Sequence, residues 1–545
     1  MINKKLSSLN LNTLFNNNIL NKTKKEHHKI QHNKIQHNKQ YKTQRKTNKV
    51  SKNIVKLKQI SLDYLQKIYN LDLYKKTLIS FYSLNNPIIT YLIVYNDSKS
   101  KRLINNKLNN LKLVSSYKLY DIENILKTID ISYNINKDLL KDLKIKKIPQ
   151  IVQYASEDFT RGIRAFLDAR YKHLPINLSN GFVKLWEILH TFKLMETFDK
   201  STKSNTTNSK TFNVFHIAEA PGQMIICAKY YAEKKYNNIK DYDWRANSLN
   251  PFNYEVKKKY GGALRDDYNL MRNNPKKWLW GSDNTGDITK VKNIKWFKNY
   301  INTKWLNNKL DNTKLDNTKL DLIIGDGGLG TDTNSILDLQ KLDLAQVINV
   351  IACSSIGGSC IIKHFTSYMI DKPETLEATS FFISFIYLYY IYFEEVNLFK
   401  PYTSDATSGE FYVIGKGFKG IEDNDLNKLF NVLNNFKENN AIFTKDAYPD
   451  TFINQIYNFL EIMINYNIKG YEKQNLLLKC YKENIKNKDK KHKHSMNSSM
   501  NSSINSSINS NINSSINCNT FLNEDKLKEI LIPRYNQWIK INEFE

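Results

Sequence analysis

Cysteine is scarce in this chain: Cys227, Cys353, Cys360, Cys480 and Cys518 are the only five among 545 residues. No two form a Cys-x-x-Cys pair, their number is odd and they lie far apart. That pattern argues against a disulfide framework or a zinc site, and for a reducing compartment. Cys353 and Cys360 sit in apolar runs and read as small core residues. Long apolar runs are also missing. The most hydrophobic segment, FFISFIYLYYIYF at 381–393, is shorter than the roughly 20 residues a bilayer span needs, so it reads as buried core. Met1–Asn10 lacks the continuous apolar stretch of a signal peptide. These absences lead us to expect a soluble intracellular protein with no membrane partner.

Negative charge is in deficit as well. Lys and Arg number 81 against 53 Asp and Glu, a net charge of +28. Such a surplus draws a protein to polyanions, with RNA, DNA and anionic membrane as the usual candidates, and charge alone does not choose among them. Part of it sits in a tail, since residues 1–50 carry twelve Lys or Arg against the single Glu26.

Composition divides the chain. Residues 1–55 are rich in Asn, Lys, Gln and His and repeat locally as HKIQHNKIQHNKQ; they bury too little apolar surface to offset ordering entropy and read as a disordered basic tail. The spacing of the histidines there fits no defined metal site, and no metal is expected. Residues 56–148 mix helical and strand patterns and suggest an accessory α/β domain, residues 149–420 alternate strand and helix, and residues 421–482 look helical. In the last block Leu426, Leu429, Phe430 and Leu433, then Ile453, Ile456, Leu460 and Met463, recur at helical spacing. Residues 483–519 form a low-complexity linker, and 520–545 an amphipathic segment whose helix, from Glu524, should end or kink at Pro533. With Tyr535, Trp538 and Ile539 that segment is a candidate docking element. Two polar insertions, STKSNTTNSK at 201–210 and the five-residue repeat NNKLDNTKLDNTKLD at 307–321, read as surface loops.

Four local patterns in the central block carry chemistry. NVFHIAEAPG (213–222) is an apolar strand ending at Glu219, followed by the tight turn Ala220-Pro221-Gly222 and a helix from about Gln223. Small residues there let a ligand approach the backbone, and a helix N-terminus offers free N–H groups; a plain tight turn would look the same. KLDLIIGDGG (319–328) delivers Asp326 to the C-terminal edge of a sheet, where open α/β folds bind ligands. GGSCIIKHF (357–365) places Lys363 at another strand end, where burial disfavours the ammonium unless an acid balances it; Asp326 on an adjacent strand is that partner. A structural ion pair is the alternative. FKPYTSDATSGEFYVIGKGF (399–418) reads as a hairpin whose last strand begins at Glu410 and runs antiparallel to its partner.

Taken in order, APGxx, GDIT (Gly286–Thr289), DGG, GGxxxxK and KPxxS…SxExYVxxKGF resemble the FtsJ-like methyltransferases, and most of all their eukaryotic and viral mRNA-cap branch. The resemblance covers about 270 residues. It implies a Rossmann-like α/β fold: a mostly parallel seven-stranded sheet ending in an antiparallel hairpin, with accessory N-terminal and helical C-terminal regions. It also implies S-adenosylmethionine as cofactor and 2'-O-ribose methylation of RNA as activity. The family's Lys-Asp-Lys-Glu tetrad falls on Asp326, Lys363 and Glu410 by motif. Its first lysine falls on Lys184, because GFVKLWEIL (181–189) is similar to the family's helical Lys-Leu-x-Glu stretch.

On the same grounds Glu219, Ala220, Pro221, Gly222, Gln223, Asp287 and Asp326 are the expected cofactor-binding residues. In the mechanism this suggests, Lys363 takes the hydroxyl proton or holds a lone pair toward the methyl group, with Lys184 lowering its pKa by repulsion. Arg161, Arg164 and Lys172 are candidate RNA phosphate contacts. The long spacer between Gly222 and Asp326, the helical SILDLQKLDLAQVINVIACSS (335–355) and the flanking regions favour a cap-proximal nucleotide of mRNA as target. The competing readings are a ribosomal or transfer RNA ribose methyltransferase, and a catalytically weak RNA-binding module of a larger complex. Protein partners would meet the terminal extensions. The compartment follows the source: cytoplasmic (a viral factory or virion if viral) or nuclear. Three departures stand out. The family's Gly-Gly-Phe is Gly222-Gln223-Met224 here, its Ser-Arg is Ser404-Asp405, and no acidic residue closes the second strand, Tyr242–Leu249.

Overall fold

The structure is a computed structural model. It describes residues 89–94, 111–114, 134–144 and 148, most of 159–497, and 524–544; within 159–497 the segments 172–173, 175–177, 197–210, 237–240, 261–265, 307–318, 329–334 and 367–377 fall outside. The basic tail 1–55, the 201–210 insertion, most of the five-residue repeat and the linker from 498 onward therefore lie outside the described residues.

The strands are β1 (Ile89–Val94), β2 (Leu111–Val114), β3 (Thr211–Ile217), β4 (Asp241–Ala246), β5 (Leu322–Gly325), β6 (Ser359–Phe365), β7 (Phe393–Lys400), β8 (Glu410–Phe418) and β9 (Ala441–Phe443). Seven of them form one sheet in the order β1-β7-β8-β6-β5-β3-β4, and β2 pairs with β9 in a small second sheet. Strands β4, β3, β5 and β6 are mutually parallel. Strand β8 enters antiparallel between β6 and β7, with Phe365 opposite Glu410 and Lys363 opposite Tyr412. The hairpin expected at 399–418 is thus present, with both of its strands in the main sheet. The seventh strand has an unexpected origin: β1, from the block read as an accessory domain, pairs antiparallel with β7.

Buried central strands need no polar alternation, and β5 (LIIG) is buried at every position. The helices that follow the sheet's core obey the same logic. They are α1 (Phe159–Arg170), α2 (Asn180–Phe192), α3 (Gln223–Lys235), α4 (Val291–Tyr300), α5 (Ile336–Cys353), α6 (Ala378–Tyr392), α7 (Asp423–Asn435), α8 (Asp450–Asn497) and α9 (Glu524–Ile541). Helix α5 starts at a capping box in which Ser335 and Asp338 satisfy each other's backbone N–H groups. Helix α6 carries the FFISFIYLYYIYF run and is apolar all round because it is buried all round. Among the described residues no helix is long and apolar enough to cross a membrane. Helices α4 to α8 share one large core with β3, β5, β6, β7 and β8, and the residues expected on helical faces at 426–433 and 456–463 lie in it.

Three local expectations differ from the structure. Of the end or kink expected at Pro533, the end is not found: helix α9 continues to Ile541. Proline removes one backbone donor, and the packing of Tyr535, Trp538 and Ile539, all buried, outweighs that loss. Helix α8 runs to Asn497, into the tract read as linker, because an Asn- and Lys-rich sequence can extend a helix already nucleated by an apolar face. Cys227, Cys353 and Cys360 are buried thiols, whereas Cys480 is disulfide-bonded; sequence spacing gave no sign of that crosslink. Phe385, fully buried on α6, should cost about 3–5 kcal/mol when cut to alanine. The check is the denaturant midpoint at constant slope, and a shift under half that size would contradict this packing.

Candidate active site

The site is built where β3, β5 and β6 end and β8 begins. Strand β3 leaves the sheet through Glu219, a cis Ala220–Pro221 peptide and Gly222, whose φ of +107° is left-handed. A Cβ at Gly222 would stand 2.3 Å from Leu270 Cδ1, so this turn needs glycine twice over. Gln223 opens α3 with helical backbone and is not among the residues of positive φ. The replaced family glycine is therefore not one the turn requires.

Glu219 itself faces inward. Its Oε1 accepts the Met224 backbone N–H at 2.7 Å and its Oε2 lies 3.6 Å from His216 Nδ1. Burial raises its pKa, and His216 opposes that rise. Its carboxylate thus shapes the turn from behind, while Ala220, Pro221 and Gln223 are half-buried and Gly222 is buried. Across β4, the 286–289 loop is seated on the chain that follows that strand. Asn247 Nδ2 donates to Leu279 O and Gly286 O at 3.0 and 3.1 Å, and Asn250 N donates to Thr285 O. A Cβ at Gly286 would meet Ser248 O at 1.7 Å. Asp287 caps its own turn, its Oδ1 accepting the Thr289 N–H and hydroxyl.

Asp326 follows β5, and its backbone N–H donates to Ile217 O at 3.2 Å, which ties it to the end of β3. Its Oδ1 lies 2.7 Å from Lys363 Nζ. Lys184, on α2, reaches Glu410 Oε1 at 2.5 Å, and Ser404 Oγ donates to the same oxygen at 3.1 Å. All four tetrad residues thus meet at one sheet edge in two ion pairs. Burial alone would lift the Glu410 carboxyl, but Lys184 and then Lys363 outweigh it and hold the group at about 2. Burial alone would lower the pKa of Lys363, but Asp326 and then Glu410 outweigh it and keep the pKa above its ordinary value. The net lowering expected for Lys363 is therefore not found: Asp326 and Glu410 dominate it.

Of the candidate RNA contacts, Arg164 donates to Asn180 Oδ1 at 3.1 Å, and the side chains of Arg161 and Lys172 lie outside the described residues. Asp405, in the place of the family's arginine, caps a local turn by accepting from Thr407 N and Oγ1. Sequence reasoning missed Asn467, and met Glu187 and Lys400 only as letters in Lys-Leu-x-Glu and KPxxS. Lys400 is 3% exposed and its Nζ donates to Ser404 Oγ, Ser408 O and Glu410 O. Burial pulls its pKa down to about 8, with Glu410 opposing.

The sheet thus carries a glycine turn, an Asp and a Lys at neighbouring strand ends and a Glu opening an antiparallel strand. Residues 178–418 match the model of the FtsJ-like methyltransferase family. The chain is 30% identical over 317 residues to the uncharacterized protein L511 of Acanthamoeba polyphaga mimivirus, covering 57% of this chain and 35% of that protein. It is 27% identical over 286 residues to the cap-specific mRNA (nucleoside-2'-O-)-methyltransferase 2 of Danio rerio, covering 51% and 34%. It is also 27% identical over 282 residues to the probable methyltransferase EP424R of African swine fever virus, covering 50% and 55%. The chain thus spans between a third and just over half of these relatives' own length.

The Lys184–Glu410 pair has a consequence for acid stability. With its folded pKa below the ordinary 4.5, Glu410 contributes stability that is fully present above that pH and is lost as pH falls toward 2. The stability advantage of the unaltered chain over Glu410→Gln should therefore shrink from pH 6 to pH 3. Thermal unfolding across that range checks it, and a pH-independent difference would contradict the pairing.

Proposed function

We propose that this chain transfers a methyl group from S-adenosylmethionine to a ribose 2'-hydroxyl of RNA, at a cap-proximal nucleotide of mRNA. The observation that carries the reading is the pairing of Lys363 with Asp326 and of Lys184 with Glu410 beside the Gly222 turn. The printed names of the zebrafish and swine fever virus relatives support it, and the net charge of +28 suits a polyanionic substrate.

The residues present fit the cofactor. No side chain stands on Gly222, α3 begins without a side-chain cap, and Asp326 lies at the adjoining strand end. S-adenosylmethionine, held by Ala220 to Gln223 with Asp287 and Asp326 toward its polar groups, would supply an electrophilic methyl group. Lys363, kept charged by Asp326 and Glu410, donates to the ribose 2'-oxygen and so aims a free lone pair. Asp326 is the neighbouring acceptor for the proton that oxygen must shed. Lys184 holds Glu410 and so keeps the second carboxylate beside Lys363. Alignment of the reacting groups supplies most of the rate, a contribution that can reach roughly 7–11 kcal/mol.

Lys363→Ala should lower methyl transfer to capped RNA by about 10²–10⁴-fold while leaving S-adenosylmethionine affinity, measured by calorimetry, unchanged. Near-wild-type turnover in that variant would remove Lys363 from the chemistry. Methyl incorporation into uncapped ribosomal or transfer RNA, in preference to capped transcripts, would redirect the substrate assignment.

A further inference from the structure

Glu410 is reached from β7 through residues 401–409, and buried side chains from several elements grip that loop. On α2, Glu187 accepts Tyr402 N at 2.6 Å, Thr403 N at 3.2 Å and Thr403 Oγ1 at 2.9 Å. Glu187 lies three residues beyond Lys184, and such residues share a helix face. One side of α2 therefore holds the loop at its start through Glu187 and at its end through the Lys184–Glu410 pair. From within the loop's own base, Lys400 binds Ser404, Ser408 and the Glu410 carbonyl.

The remaining grips come from beyond residue 418, where the family match ends. Asn467 on α8, 1% exposed, donates through Nδ2 to Ala406 O at 2.6 Å and Ser408 O at 3.0 Å. Gly470 lets the helix come so close that a Cβ there would stand 3.0 Å from Ala406. On α9, Trp538 Nε1 donates to Glu187 Oε2 at 3.2 Å, and Arg534 binds the Tyr402 hydroxyl. The turn after α9 closes over α2: Trp186 Nε1 donates to Asn542 O at 2.9 Å and its ring centroid lies 4.6 Å from that of Phe544. A carboxylate as buried as Glu187, 2% exposed, is costly unless its oxygens are satisfied. Three of the four hydrogen bonds that satisfy them tie it to the loop, and the fourth comes from the C-terminal helix.

We infer that α8 and α9 are positioning elements of the active site, in which Asn467 and the Trp538–Glu187 contact fix residues 401–409 and through them the Lys184–Glu410 pair. The inference rests on the tetrad being catalytic, but its structural half can be read without turnover. The C-terminal segment, read from sequence as a docking element for other proteins, docks on its own methyltransferase domain.

The test uses the full chain with Trp538→Phe, which keeps the aromatic packing and removes the N–H donor, and with Asn467→Ala. Amide hydrogen exchange over 401–410 should rise about 10-fold, the scale of one lost hydrogen bond to a charged or buried acceptor, while exchange in β3, β5 and β6 stays as in the unaltered chain. In the methyl-transfer assay kcat should fall by a similar factor with KM for S-adenosylmethionine unchanged. Unaltered exchange over 401–410, or a rise spread evenly over the sheet, would overturn the inference. So would a local rise in exchange with kcat unchanged. A parent chain that transfers no methyl group would count against the catalytic reading alone, since the exchange result decides the clamp.

Discussion

Two lysines and two carboxylates can share a largely buried sheet edge only if each charge faces its opposite. Here the side chains of Lys184, Lys363 and Glu410 are 11–12% exposed and that of Asp326 is 29% exposed. The solution is alternation: Lys184 with Glu410, Lys363 with Asp326, and Glu410 acting on both lysines. Breaking one member of such a set leaves an uncompensated charge in a poorly solvated place. The backbone around the site follows from that requirement, because four separate elements must bring their ends within ion-pair distance of one another.

The sheet order does much of this. Parallel β3, β5 and β6 end on one side, which sets the Gly222 turn, Asp326 and Lys363 side by side. Inserting β8 antiparallel between β6 and β7 brings the start of a strand to that same edge, so Glu410 arrives opposite Phe365. Only Lys184 comes from a helix, and its placement depends on how firmly α2 is held. That is the role left to Glu187, to Lys400, which is buried and faces no carboxylate at ion-pair distance among the described contacts, and to the segments beyond residue 418. The extension is thereby joined by hydrogen bonds to α2 and the 401–409 loop rather than appended to the domain.

What could be read from the sequence was local. Asp326, Lys363 and Glu410 each sit in a strand-end pattern whose neighbours announce an exposed carboxylate or a buried amine, and the structure brings them together. Lys184 could be placed only by resemblance, since a lysine on an amphipathic helix carries no mark of its partner. Glu187, met only as the last letter of Lys-Leu-x-Glu, showed no partner for the same reason: the residues that satisfy it lie more than 200 positions away in Tyr402, Thr403 and Trp538. Pro533 misled because the packing of Tyr535, Trp538 and Ile539 outvoted local propensity, and the tract at 485–497 because a helix already under way propagates into it. The sign of the Lys363 shift also failed to show, because it depends on which of two opposite charges is nearer, and only coordinates say that. Gln223 runs the other way. It looked like a defect in the expected cofactor turn, and its helical backbone, with Gln223 absent from the residues of positive φ, removes the objection.

The central claim is that this edge alkylates a ribose oxygen of RNA. It is tested most directly by nucleoside mass spectrometry of a short capped transcript after incubation with the chain and isotopically labelled S-adenosylmethionine. Label is expected in one cap-proximal 2'-O-methylnucleoside, with the adjoining phosphodiester made resistant to alkali. Label on a base, label only in the cap guanine, or no label at a cofactor concentration that saturates the chain would contradict it.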